Sequence, residues 1–474
     1  MKLGNQSQTM TSFSRRSFLA GTGAVLAAPA LGAPAASGET ETIIVGAGAA
    51  GIAAARRLAA AGRRYVVVEA ADRVGGRCIT DTRIFGVPFD LGAHWIYSSD
   101  INPVTKAPRS GNLEIYPAPP GQRVRIGRRN ARESELEDFL SSVVRANRAI
   151  GDAARGKVDV NCAQALPKDL GEWKSTVDFV LGPYNCAADL NEISSMDLAR
   201  AADRDNNAFC RQGFGALLAG QAANIPVQLS TPVTQIDTRG SSGGAEVRTA
   251  KGTLRGRFVI VTASTGVLSG GKIVFAPELP KRQLDALARL KMGSFDHVAL
   301  EFSGNPLGLQ RDDLVFEKSA NTQTGALLAN IGGTSLATVS VAGKFGRELS
   351  AKGSKEMVDF AIGWVTGLYG GDIRKAVKRS HTTNWNTSPF VLGAFAAAGP
   401  GGALTRRTMM EPVRDRIYFA GEAVHETQYG TVNGAWDSGE KAAEAILRKL
   451  GVLKAPVEPK QAPEKPPRRS RGKA

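Results

Sequence analysis

Gly46, Gly48 and Gly51, with Glu69 following 18 residues after the last of them, are residue types at a spacing that binds a dinucleotide. Gly46 permits a tight turn, Gly48 lets backbone N–H groups approach a pyrophosphate, and Gly51 lets a helix pack closely on a strand. Ala49 and Ala50 open that helix, whose N-terminus faces the phosphate charge. Glu69, followed by Ala70, is placed to accept hydrogen bonds from ribose hydroxyls and to repel a 2′-phosphate. Gly75-Gly76-Arg77 suits a second close approach, with a cation beside the pyrophosphate. Two such segments imply a deeply wrapped dinucleotide, as FAD usually is. The four histidines, His94, His297, His381 and His425, form no ligand pair and the four cysteines no C-x-x-C, so no metal site is expected.

These residues need a strand, a helix and a second strand to hold them. Ile43-Ile44-Val45 reads as the first strand, the alanine-rich stretch after Gly48 as the helix, and Tyr65 to Val68 as the second strand. Glu133 to Ile150 reads as a helix with Leu136, Phe139, Leu140 and Val143 on one face, and Phe214 to Ala223 as another helix. Val227–Leu229, Val233–Ile236, Ala245–Arg248 and Phe258–Thr262 read as strands, with a turn over 239–244. Gly293 to Phe302 also looks like a strand. Arg416 to Glu422 gives a strand and an acidic turn, and Tyr429 to Gly439 a loop and a glycine-rich helix start. A glutamate there suits ribityl hydroxyls, and a helix N-terminus near Thr431-Val432 suits the electron-rich edge of a flavin.

The 474 residues are 42% hydrophobic, enough for two domains. Of the net charge of +16, three charges belong to residues 1–38 and five to residues 452–474, leaving +8 on the body. That balance does not call for nucleic acid, and no basic stripe is interleaved with aromatics. Arg123, Arg125, Arg128, Arg129 and Arg132 form the one local cluster, a solvated face or a site for an acidic partner. Residues 1–38 carry Ser14-Arg15-Arg16-Ser17-Phe18-Leu19, a weakly apolar run from Ala20 to Leu31 and Ala33-Pro34-Ala35; they resemble a twin-arginine export signal, which implies a periplasmic protein exported folded. No later stretch reaches the ~20 apolar residues of an integral membrane span. An oxidising compartment permits a disulfide, for which Cys162, Cys186 and Cys210 are candidate partners. Residues 452–474, rich in Pro, Lys and Arg, read as a disordered basic tail.

GAGAAG with Glu69, the GGR of Gly75 to Arg77, DLGAHWIY from Asp90 to Tyr97, and FAGE with the segment after it together resemble the flavin-containing amine oxidase family over most of residues 40–450. The resemblance implies an α/β plus α+β fold: a Rossmann-like FAD-binding domain interleaved with a substrate domain, in the amine oxidase or glutathione-reductase-type two-domain plan. FAD-binding parts are expected at 40–100, 207–276 and 405–451, and substrate-domain parts at 101–206 and 277–404. It adds Gly92, Ala93, His94, Trp95, Val233, Gly421, Glu422, Thr431 and Val432 to the FAD contacts, with Val233 near the adenine. The family commonly places a lysine, which holds a water against flavin N5, where this chain has His297; Lys291 is the nearest lysine. A neutral imidazole there can position water or take a proton near pH 7, although a strand histidine can equally be satisfied by its surroundings. Trp385 lies in the family's tryptophan-containing segment, Phe395 stands at one wall of its aromatic cage, Thr431 at the other, and Tyr97 where polyamine oxidases have Glu or His. No cysteine follows Cys210, so FAD is expected to be non-covalent. The implied reaction is oxidation of a C–N bond of an amine or amino acid, with oxygen or another electron acceptor. The alternatives are a C–C desaturase or oxidase of the phytoene desaturase or protoporphyrinogen oxidase type, and a non-catalytic exported flavoprotein that binds a partner or transfers electrons.

Overall fold

Alternate residues of the opening strand are buried on opposite faces of one sheet: Ile44 packs under helices, while Ile43 and Val45 enter a second core on the other side. The computed structural model describes residues 40–106, 113–240 and 243–454; the expected export signal and all but the start of the basic tail lie outside the described residues. The strand Thr40–Val45 pairs in parallel with Tyr65–Val68 on one side and with Gly252–Val261 on the other. The sheet continues through Ala245–Thr249 and Val233–Asp237 to Val274–Ala276, and Ile417–Phe419 joins in parallel beside the C-terminal half of Gly252–Val261. That strand starts earlier than Phe258 because Gly252 to Gly256 form an antiparallel pair with Ala245–Thr249, a polar pairing that leaves no apolar run to read.

Two helices, Ala49–Ala60 and Val432–Lys449, cover one face of this sheet and pack on each other. Their contact is backbone-close: a Cβ on Gly439 would lie 2.0 Å from the Ala50 carbonyl oxygen.

The second sheet has seven strands, in the order Val377–Thr382, Phe295–Phe302, Leu336–Ala342, Ala326–Ala329, Asp313–Glu317, Arg123–Ile126 and Arg129–Asn130. One face carries Val298, Leu300, Val339 and Val341 into a core with the helix Ser354–Tyr369. The period of two therefore turns Phe295, His297, Thr338 and Ser340 to the opposite face, where they line a cavity.

The helix Glu133–Ala154 buries Phe139, Ala146 and Ile150, flanked by the partly buried Leu136 and Val143. Leu140 is instead 42% exposed, because it lies about 100° around the helix from Phe139. The arginine cluster is not a uniform solvated face: Arg123 pairs with Asp313, Arg129 with Glu135, and Arg125 is buried against Tyr369. Cys78, Cys162 and Cys186 are free thiols buried in the cores, so the disulfide that an oxidising compartment would permit does not join Cys162 to Cys186. Among the described residues no helix is long and apolar enough to cross a membrane.

Candidate active site

The glycine turn is built as the phosphate chemistry requires. Gly46 has φ +105°, and a Cβ there would strike Thr262 Oγ1 at 2.3 Å; a Cβ on Gly51 would lie 1.9 Å from the Gly46 carbonyl oxygen. Gly48 caps the helix Ala49–Ala60 without any side-chain hydrogen bond, and the first turn holds no acid, so its first N–H groups face the cavity unsatisfied by a side chain. Gly76 approaches Gly48 so closely that a Cβ on it would be 3.3 Å from the Gly48 Cα. Glu69 is buried at the end of its strand, where its carboxylate accepts from the N–H groups of Ala47 (2.7 Å) and Ala71 (2.8 Å). Arg77 donates to Glu422 at 2.8 Å, and Glu422 also accepts from the N–H groups of Ala396 and Gly430 at 3.2 Å. The N-terminal turn and the C-terminal acidic turn are thereby locked together.

At the other end of the same cavity stands His297. The antiparallel register sets it opposite Ser340, and its Nδ1 lies 3.1 Å from Ser340 Oγ while Nε2 lies 3.3 Å from the Gly92 carbonyl oxygen. A carbonyl only accepts, so Nε2 carries the hydrogen and Nδ1 accepts from the serine hydroxyl. Burial lowers the pKa of His297 to about 4, against a smaller opposing effect of the Gly92 carbonyl. The ring is neutral and both nitrogens are engaged, so His297 is a fixed hydrogen-bonding group and not a base near pH 7. Phe295 stands 5.4 Å from His297 and 6.0 Å from Phe395, ring centre to ring centre. Trp385 donates its indole N–H to Leu91 O at 3.0 Å and covers Gly92. The hydroxyl of Thr431 caps the helix Val432–Lys449, accepting from Gly434 N and donating to Gln428 O, so only the rest of that side chain is free to meet a ligand.

One cavity of about 520 Å³ runs between these two ends, lined from Val45 to Ala435. A family model described as flavin containing amine oxidoreductase matches residues 163–447, more than half of the chain, and a second, NAD(P)-binding Rossmann-like domain, matches residues 44–107. The chain belongs to the flavin containing amine oxidoreductase family. As such a flavoprotein it is similar to polyamine oxidase 4 of Oryza sativa subsp. japonica, 25% identical over 87% of this chain and 89% of that one. It is also similar to lysine-specific histone demethylase 1 homolog 3 of Arabidopsis thaliana, 25% identical over 86% of this chain but 30% of the relative. The chain spans about half the length, or less, of the curated relatives of that kind. Cyclohexylamine oxidase from Brevibacterium oxydans IH-35A has the same fold, with a TM-score of 0.73 and 21% identity over 87% of this chain and 100% of that one.

The cofactor of a protein with this family membership and fold is FAD, and the residues present fit it. Glycine-only approaches at Gly46 and Gly48, uncapped helix N–H groups and a buried, backbone-held Glu69 are what an adenosine pyrophosphate needs. Every residue expected to contact the cofactor lines the cavity except Gly51, whose place is the helix–strand contact. His297, Phe395, Thr431, Tyr97 and Trp385 line it too, whereas Lys291 is exposed on another strand and does not.

Tyr184, Asn185, Arg204, Phe295 and Ser340 also reach the cavity and were not expected. Alternation from His297 would have found Phe295, and strand pairing Ser340. Tyr184 and Arg204 come from the stretch before Ala208, which carries no motif; Tyr184 closes a π-helical turn, Val180–Tyr184, of the kind frequent at functional sites.

Proposed function

We propose that this flavoprotein is an FAD-dependent oxidase of a C–N bond, converting an amine or amino acid to an imine that water hydrolyses to a carbonyl, with hydrogen peroxide formed from oxygen. The observation that carries this reading is continuity: the dinucleotide cradle and the group His297, Phe395, Tyr97 and Trp385 line one cavity. The names of its relatives, polyamine oxidase and cyclohexylamine oxidase, support an amine as the substrate. When bound, FAD takes up the two electrons and the hydrogen removed from the carbon bearing the nitrogen, and an acceptor later reoxidises it.

The chain's own residues do the rest. Gly46, Gly48, Glu69, Arg77 and Glu422 would hold the cofactor. Phe295 and Phe395 give the cavity an aromatic wall, and His297 lines it as a neutral ring whose two nitrogens are held by Ser340 and Gly92. The cavity's three carboxylates, Glu69, Asp90 and Glu422, all accept from backbone N–H groups, so none is a free base for the substrate. The amine would react as its free base, already deprotonated by solvent. Non-covalent FAD accords with a sequence that has no cysteine beyond Cys210, and export through a twin-arginine signal accords with Arg15-Arg16.

Anaerobic mixing of the FAD-loaded protein with a panel of amines and amino acids tests the reading. Bleaching of the flavin absorbance by at least one, and peroxide on admitting oxygen, is expected; a panel that leaves the absorbance unchanged removes the proposal.

A further inference from the structure

His425 is a buried imidazole to which the reaction assigns no role. It follows the short helical turn Glu422–Val424 and precedes Gly430, where the chain reaches the cavity wall. It is not itself a lining residue. Both ring nitrogens are engaged by the chain. Nδ1 faces the N–H groups of Thr427 at 3.2 Å and Gln428 at 2.9 Å, and Nε2 lies 2.8 Å from Asp437 Oδ2. An amide N–H only donates and an ionised carboxylate only accepts, so Nδ1 is the bare acceptor and Nε2 carries the hydrogen.

The two nitrogens fix different elements. The bonds at Nδ1 close a turn over 425–428, the service that a short Asn or Asp side chain gives elsewhere by accepting from backbone N–H groups just ahead of it. The bond from Nε2 ties that turn to the helix Val432–Lys449, on which Asp437 also pairs with Lys441. The tie reaches the first turn of the helix through Gln428. Its carbonyl oxygen accepts from Thr431 Oγ1 at 2.6 Å and would lie 1.9 Å from a Cβ on Gly434. Gln428 therefore cannot shift without moving Thr431 to Gly434. From that turn Thr431, Val432 and Ala435 line the cavity. Histidine alone serves both ends of this link: asparagine supports the turn but stops short of Asp437, while glutamine reaches Asp437 and leaves both amides unanswered.

We infer that His425 is a positioning residue for the cofactor, holding Thr431 and Val432 at the cavity wall and with them the N-terminus of their helix. The inference rests on FAD occupying this cavity with that N-terminus toward the electron-rich edge of the flavin. The positive end of a helix favours the reduced form, which is the more electron-rich. Displacing it weakens FAD and lowers the potential of the bound flavin.

The test strips the full chain of FAD, titrates it back by the quenching of flavin fluorescence, and reads the midpoint potential of the reloaded protein by dye equilibration. His425→Gln and His425→Ala are expected to weaken FAD about 10- to 100-fold, the range for a stranded buried donor, and to lower the potential. His425→Asn, which restores the acceptor at Nδ1, should return the affinity to within about threefold of native and restore the potential. Native affinity and potential in both loss variants overturn the inference, as does an asparagine variant no better than alanine. If neither loss variant folds, His425 serves the fold and not the cofactor, and the inference falls. None of these measurements needs a substrate, so the two readings fail separately. An amine panel that leaves the flavin unbleached removes the oxidase; unchanged affinity and potential remove the role of His425.

Discussion

Adjacent side chains on the strand Phe295–Phe302 titrate in opposite directions. Burial lowers His297 to about 4 and raises Asp296 to about 6, the latter against the N–H of Trp385 and the hydroxyl of Thr383, which favour its charged form. For His297 the unfolded chain binds more protons between about pH 4 and its ordinary pKa near 6.5, so its contribution to stability is complete above 6.5 and is lost as the pH falls toward 4. For Asp296 the folded chain binds more protons between its ordinary pKa near 4 and about pH 6, so its contribution is complete at low pH and is lost as the pH rises. The two slopes nearly cancel in the native protein. Replacing His297→Gln uncovers one of them: the stability of native protein relative to the variant should rise by up to about 3 kcal/mol from pH 4 to pH 6.5. Urea unfolding at several pH values checks this, and a pH-independent difference contradicts it. The same depressed basicity predicts that kcat/KM follows the ionisation of the substrate's own ammonium and shows no inflection near 6.5 from His297. The place of His297 could be read from its distance to Gly293, but its tautomer could not, because Ser340 and Gly92 reach it only through strand register and tertiary packing.

Between elements, glycines set the closest approaches. Gly51 and Gly439 both stand where a Cβ would fall within 2.0 Å of a backbone carbonyl oxygen, Gly46 O and Ala50 O respectively, and neither oxygen can move without shifting its strand or helix. Gly363, inside the helix Ser354–Tyr369, has nothing within 4 Å of such a Cβ. Alanine at 51 or 439 should therefore cost about 1–3 kcal/mol or more through overpacking, while Gly363→Ala should gain about 0.5–1 kcal/mol of helix propensity. Thermal unfolding checks all three, and the ratio of flavin to protein absorbance should fall for Gly51→Ala, whose strain reaches the turn at Gly46. Equal melting temperatures for the three variants would refute the packing argument. The first of these glycines was legible because its partner lies five residues away in a local strand–turn–helix unit. Gly439 was not, since the Ala50 it touches is near the other end of the chain and no local pattern records a helix crossing.

Across the molecule, the cavity is assembled from segments that are far apart in sequence, and a buried ion pair ties three of them together. Arg406, 2% exposed, donates to Asp197 through Nε and Nη2 at 2.9 Å, to the carbonyl oxygens of Ala423 and Ala396, and lies 3.6 Å from the Tyr429 ring centre. Tyr429 in turn donates its hydroxyl to Asp197 O and leads into Gly430 and Thr431 at the cavity wall. The FAD cradle was legible in the sequence because its motifs are local and chemically constrained; this clamp was not, because its partners carry no motif and meet only in the folded chain. A buried pair of this kind is worth most when only one partner is removed, since that leaves an uncompensated charge. Asp197→Ala should thus lose about 3–5 kcal/mol and loosen FAD by releasing the loop that holds Tyr429. The double replacement Asp197→Leu with Arg406→Met should cost clearly less than the sum of its single replacements, because no charge is then stranded. Denaturant unfolding of the four proteins closes the cycle. Additive losses would mean that the two side chains act independently, and that the loop at the cavity wall is positioned by its own glycines and the cap at Thr431 instead.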